Sequence, residues 1–150
     1  MEFLMTKYVI ELTDVQLKLI SDACEICAKL KLGQIGPALT KLELKNMQGR
    51  VISDYDFGKS VESLIKPIMG LKYDSAWGVG YSEYTDSLFD IHEAIRHRLA
   101  WDEAEAHASG MIEPGEKRKW PEMMSIDYDE PIKCGLEPLP VIIKVNEESK

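Results

Sequence analysis

The chemically useful side chains of this 150-residue sequence gather in two neighbouring stretches. In the first, Lys72, Tyr73, Trp77 and Tyr81 lie among Gly70, Gly78 and Gly80. Flat rings and a cation suit stacking on a nucleobase beside a phosphate, and glycine lets backbone approach a ligand closely. The same residues would equally pin a loop to a core. Gly78-x-Gly80 lacks the strand–GxGxxG–helix context of a dinucleotide fingerprint. In the second stretch His92 and Arg96 stand four apart, where each could act as a general acid/base or as a phosphate partner. A salt bridge to one of the many carboxylates is the ordinary alternative. Glu93 and His97 have the same spacing and could share a metal, although such pairs on a helix are common without one. Cys24-x-x-Cys27 is half of a zinc motif, but it sits on the apolar side of a helical pattern and no second pair follows. No serine or cysteine stands recognisably beside a histidine, so no catalytic triad is read.

These groups need elements to hold them. Ser82 to His107 reads as one long helix, with Tyr84, Leu88, Ile91, Ile95 and Leu99 on its buried stripe. Phe89, His92 and Arg96 flank that stripe, and Asp90, Glu93 and His97 fall on the far face. Ser82 is a fitting cap, and Gly110 lies just past the end. Upstream, Thr13 and Gln16 form a capping box opening a helix from about Asp14 to Leu32, closed by Gly33. That helix is apolar around most of its circumference, so the core and either another helix or another subunit must cover it. Pro37 suits the first turn of a second helix, from Ala38 to about Asn46, and a third spans roughly Tyr55 to Ile68. The β-branched runs Lys7–Leu12 and Leu139–Val145 and the alternating apolar and polar residues of Met123–Tyr128 read as strands. The sequence therefore predicts a single α+β domain in the order β-α-α-α-α-β-β, with a small, mostly antiparallel sheet built from both termini.

Composition narrows the function. The net charge of −8 makes nonspecific nucleic-acid or membrane-surface binding unfavourable. No run approaches the roughly 18 apolar residues of a membrane span, and the opening MEFLMTKYVIEL is too acidic for a secretory leader. Three cysteines fit a reducing compartment better than a disulfide scaffold. Lys117-Arg118-Lys119, the one dense basic cluster, reads as a solvated loop.

At Leu32-Gly33-Gln34, Trp77-Gly78-Val79, Phe89 to Trp101, Asp129-Glu130-Pro131 and Leu139-Pro140 the sequence resembles a widespread set of small tailed-phage proteins. Within that set it is similar to the anti-CBASS sponges, which sequester cyclic nucleotide immune signals such as 3′,3′-cGAMP without cleaving them. The resemblance implies a non-enzymatic protein of the host cytoplasm, a homo-oligomer that needs no cofactor or metal. Lys72, Tyr73, Trp77 and Tyr81 would then cradle the ligand, with His92 and Arg96 as further candidates. Sponges for cyclic ADP-ribose signals, a module that blocks a host protein through the first helix or Trp101, and a hydrolase using His92 or His97 are the alternatives.

Overall fold

The computed structural model describes residues 5–113, 115–116, 119 and 130–145. Four helices make up the architecture: α1 (Asp14–Lys31), α2 (Ile35–Leu42), α3 (Tyr55–Ile65) and α4 (Glu83–Ala108). The capping box forms as expected. Thr13 Oγ1 accepts the Gln16 N–H at 3.2 Å, and Gln16 Oε1 accepts the Thr13 N–H at 2.9 Å; such a cap contributes about 1 kcal/mol. α1 ends in a Schellman turn around Gly33, whose φ of 81° suits glycine. There the Gly33 N–H reaches the Leu30 carbonyl and the Gln34 N–H the Lys29 carbonyl.

α1 packs most extensively on α4, and α2 lies against both α1 and α3. Ile95, Leu99 and Ala100 of α4 form a buried cluster, with Leu17, Ile91 and Ile142 packed around it. The α2–α3 crossing is closer. A Cβ built on Gly58 would stand 2.8 Å from Gly36 Cα, so the two backbones touch. Glu62 of α3, 2% exposed, accepts the Gly36 N–H at 2.8 Å and so caps the start of α2 from another element. This moves α2 earlier than its sequence suggested. It begins at Ile35, where Gln34 offers no side-chain cap, and stops at Leu42.

The expected α+β sheet is overturned. The described chain is 49% helical and 2% strand, and its one β-bridge joins Lys45 to Val51. Lys7–Leu12 and Leu139–Val145 are non-helical, but neither has a ladder partner among the described residues. β-Branched composition marks a segment that fits a strand, while a strand forms only where a neighbour offers its backbone. In the second segment Ile142 alone turns inward onto the core, between exposed Val141 and Ile143. The strand expected at Met123–Tyr128 lies outside the described residues.

α4 also differs in its faces. Tyr84 is exposed, with the Lys31 ammonium 4.6 Å above its ring centre. Asp90, placed by periodicity on the far face, is 3% exposed. It accepts the N–H groups of Cys134 (2.5 Å) and Gly135 (2.9 Å), and Glu83 accepts that of Leu136 at 2.8 Å. One turn away Asp86 accepts the Gly80 N–H at 3.0 Å. The first half of α4 thus holds the loop before it and the segment 134–136 by their backbones.

Candidate functional site

The loop between α3 and α4 is tied down along its length. Lys66, buried, donates to the Tyr73 carbonyl at 2.9 Å. The Trp77 N–H donates to the Leu32 carbonyl at 2.9 Å, and the Trp77 and Tyr81 rings stack with centroids 4.4 Å apart at 13°. Each of these rings therefore uses one face on the other. Trp77 is half-buried, and Lys72 and Tyr81 are exposed. This half of the loop takes the pinning role that its residues also allowed.

Tyr73 is placed differently. Its ring faces Lys59 of α3, whose ammonium lies 5.4 Å from the Tyr73 centroid and 5.6 Å from that of Tyr55. Cation–π attraction at such distances is modest in water and grows as the site dries. Lys59 also pairs with Glu62 Oε2 at 3.4 Å, and that bond raises its pKa above the ordinary value, so it stays charged. Beside this cluster opens a cleft of about 320 Å³, lined by Gly36, Pro37, Thr40 and Lys41 of α2 and by Tyr55 and Lys59 of α3. The Gly36–Gly58 contact sets the spacing of its walls. A phenol ring with the Lys59 ammonium against it suits a flat anionic group stacked on Tyr55, while Lys41 lines the cleft with its ammonium already held by Glu25 and Asp22.

Lys41 links the cleft to a buried polar seam between α1 and α4. Its ammonium bonds Glu25 and lies 3.3 Å from Asp22. Lys29 bonds Glu25 at 2.6 Å, and Lys18 bonds Asp22 at 2.6 Å. Burial opposes ionisation of Glu25, but the hydrogen bonds from Lys29 and Lys41 outweigh it and hold the pKa at about 2. His92 sits in the same seam. Its Nδ1 lies 2.8 Å from Ser21 Oγ, and its Nε2 is 3.8 Å from both Glu25 and Glu93. An unprotonated Nδ1 accepts from the Ser21 hydroxyl, whereas a protonated Nδ1 donates instead to the Ser21 carbonyl 3.2 Å away. Burial pushes the His92 pKa down despite those carboxylates. The grouping resembles a hydrolytic triad only in composition. Ser21 is 0% exposed, so no substrate reaches its hydroxyl, and it bonds the nitrogen opposite the carboxylates.

The six residues named from the sequence do not converge. Trp77 meets Tyr81, and Tyr73 meets Lys59. Among the described residues Lys72 supplies only its carbonyl, to a turn at Ser75. Arg96 pairs with Glu93 at 3.2 Å, and His92 is committed to the seam. No hydrogen bond, ion pair or ring contact among the described residues joins His92 or Arg96 to the loop. His97 accepts the Trp101 indole N–H at 3.1 Å. Among the described residues no group of three or more His, Cys, Asp or Glu could hold a metal, and no helix is long and apolar enough to cross a membrane. Sequence reading missed Lys41, Tyr55 and Lys59. Tyr55 and Lys59 share a helix face at four-residue spacing and were findable; Lys41 joins them only through the α2–α3 crossing. Comparison with models of known families, with curated proteins and with solved structures finds no match.

Proposed function

We propose that the protein is a non-enzymatic binder of a cyclic nucleotide signal, holding one base-and-phosphate unit in the α2–α3 cleft. The observation that carries this reading is the Lys59 ammonium placed between the Tyr55 and Tyr73 rings at the mouth of a cleft also lined by Lys41. The resemblance to phage anti-CBASS sponges supports the same ligand class and a role in the host cytoplasm. The site shifts from Lys72, Trp77 and Tyr81 to Lys41, Tyr55 and Lys59, and Tyr73 is common to both.

Magnitudes set the expected affinity. Stacking contributes about 1–3 kcal/mol per base, and each charge-assisted contact about 1.5–3 kcal/mol. One base and one ammonium contact therefore total roughly 2.5–6 kcal/mol, against about 8 kcal/mol for a micromolar complex. A cleft of about 320 Å³ is at the small end of ligand pockets. A single protomer should bind no tighter than micromolar.

The test is calorimetry with 3′,3′-cGAMP, other cyclic dinucleotides and cyclic ADP-ribose isomers, followed by heat release and mass spectrometry. Intact ligand released from the wild type, with affinity at least ten-fold weaker in Lys59→Ala and Tyr55→Ala, supports the reading. Chemically altered ligand, or no binding across the panel, overturns it.

A further inference from the structure

The segment Lys7–Leu12 carries Tyr8, Val9 and Ile10 in water, with Val9 97% exposed. None of its backbone groups is hydrogen-bonded within the described chain. A β-branched, aromatic run with open backbone is a template for strand pairing. We propose that this segment pairs antiparallel with its counterpart in a second copy of the chain, about a two-fold axis through Val9.

Charge complementarity selects this occupant. In that register the residues opposite one another have numbers summing to 18. Lys7 then faces Glu11 of the second copy, and Glu11 faces the second copy's Lys7. Tyr8 and Ile10 pair in the same reciprocal way, and the two Val9 side chains meet on the axis. Opposite charges and aromatic–β-branched pairs are the combinations that stabilise antiparallel neighbours, and reciprocity is what a two-fold interface requires. A parallel alignment in register would instead stack Lys7 on Lys7 and Glu11 on Glu11. Six residues alone fall short of the roughly 800 Å² per partner of a stable interface. The helix that follows supplies more: Val15, Leu19 and Ala23 are all exposed at four-residue spacing along one face of α1. This is the part of the α1 surface that the sequence left to either another helix or another subunit.

The full chain is examined by sedimentation equilibrium across a concentration series, with melting temperature recorded alongside. The wild type is expected to dimerise. Val9→Asp, which sets two carboxylates against each other on the axis, should weaken the dimer at least ten-fold while the isolated protomer keeps its helical circular dichroism. Lys7→Glu or Glu11→Lys alone should weaken it several-fold, and the double exchange Lys7→Glu/Glu11→Lys should restore it to within about two-fold. A monomer at every concentration overturns the proposal, as does a dimer indifferent to Val9→Asp or a double exchange that fails to rescue. So does a Val9→Asp chain whose melting temperature falls with no change of mass, because the segment's partner would then lie in its own chain.

Discussion

Gly36 and Gly58 touch backbone to backbone where α2 crosses α3, leaving no room for a β-carbon on Gly58. The contact sets the width of the cleft between Lys41 and Lys59. Gly58→Ala gains up to about 1 kcal/mol of helix propensity and forces the backbones apart at a cost of about 1–3 kcal/mol. The variant should lose about 1–2 kcal/mol in urea unfolding and widen the cleft enough to weaken ligand. Gly78→Ala is the control. A Cβ there meets nothing within 4 Å and the backbone is not left-handed, so stability should change by less than about 0.5 kcal/mol.

Glu62 ties the same crossing by charge. It is buried, accepts the Gly36 N–H, and lies 3.4 Å from Lys59 and 3.8 Å from Lys66. Glu62→Ala leaves the α2 start uncapped and the buried Lys66 without its carboxylate. A loss of about 2–4 kcal/mol is expected by chemical denaturation, with early amide exchange at Gly36 and Ala38.

Acid should loosen the α1–α4 seam in two steps. Burial keeps His92 neutral in the folded chain below its ordinary 6.5, whereas the unfolded chain takes up the proton there. Stability therefore falls as pH drops below about 6.5. Glu25 titrates at about 2 instead of 4.5. Its contribution is complete above pH 4.5 and is lost as pH falls toward 2, by about 2 kcal/mol after allowance for partial solvation. Urea midpoints measured from pH 8 to pH 3 should hold steady to about pH 6.5 and fall below it, and His92→Gln should remove the first part of that fall.

Asp90→Ala should release the segment 134–136. Its carboxylate accepts two backbone N–H groups, and Ile142 reaches the core a few residues beyond. Hydrogen exchange across 132–145 should rise at least ten-fold, and global stability should fall by about 1–3 kcal/mol. Unchanged exchange there would show that Glu83 and Ile142 suffice to hold the segment.

Four helices, the Thr13 box and the Ser82 cap were legible because each is written within a few neighbouring residues. The start of α2 was not, since its cap is Glu62, 26 residues away. Asp90 defeated periodicity for the same reason: its partners at 134 and 135 lie 44 and 45 residues on. The false sheet came from Lys7–Leu12 and Leu139–Val145, where composition signals strand preference but not whether a neighbouring backbone is there to satisfy it. In the loop, the aromatic content was right about a π-rich neighbourhood. It could not tell that Trp77 and Tyr81 spend faces on each other while Tyr73 turns to Lys59.

The hold of α4 on residues 134–136 imposes an order on biosynthesis. Asp90 emerges 45 residues ahead of Gly135, a gap of about 2–9 s at the usual 5–20 residues per second. Through that interval its carboxylate must stay hydrated, and α4 cannot bury that flank. The nascent chain thus carries a half-seated helix until residue 135 has been made, and the segment 134–136 acts as the latch over that flank.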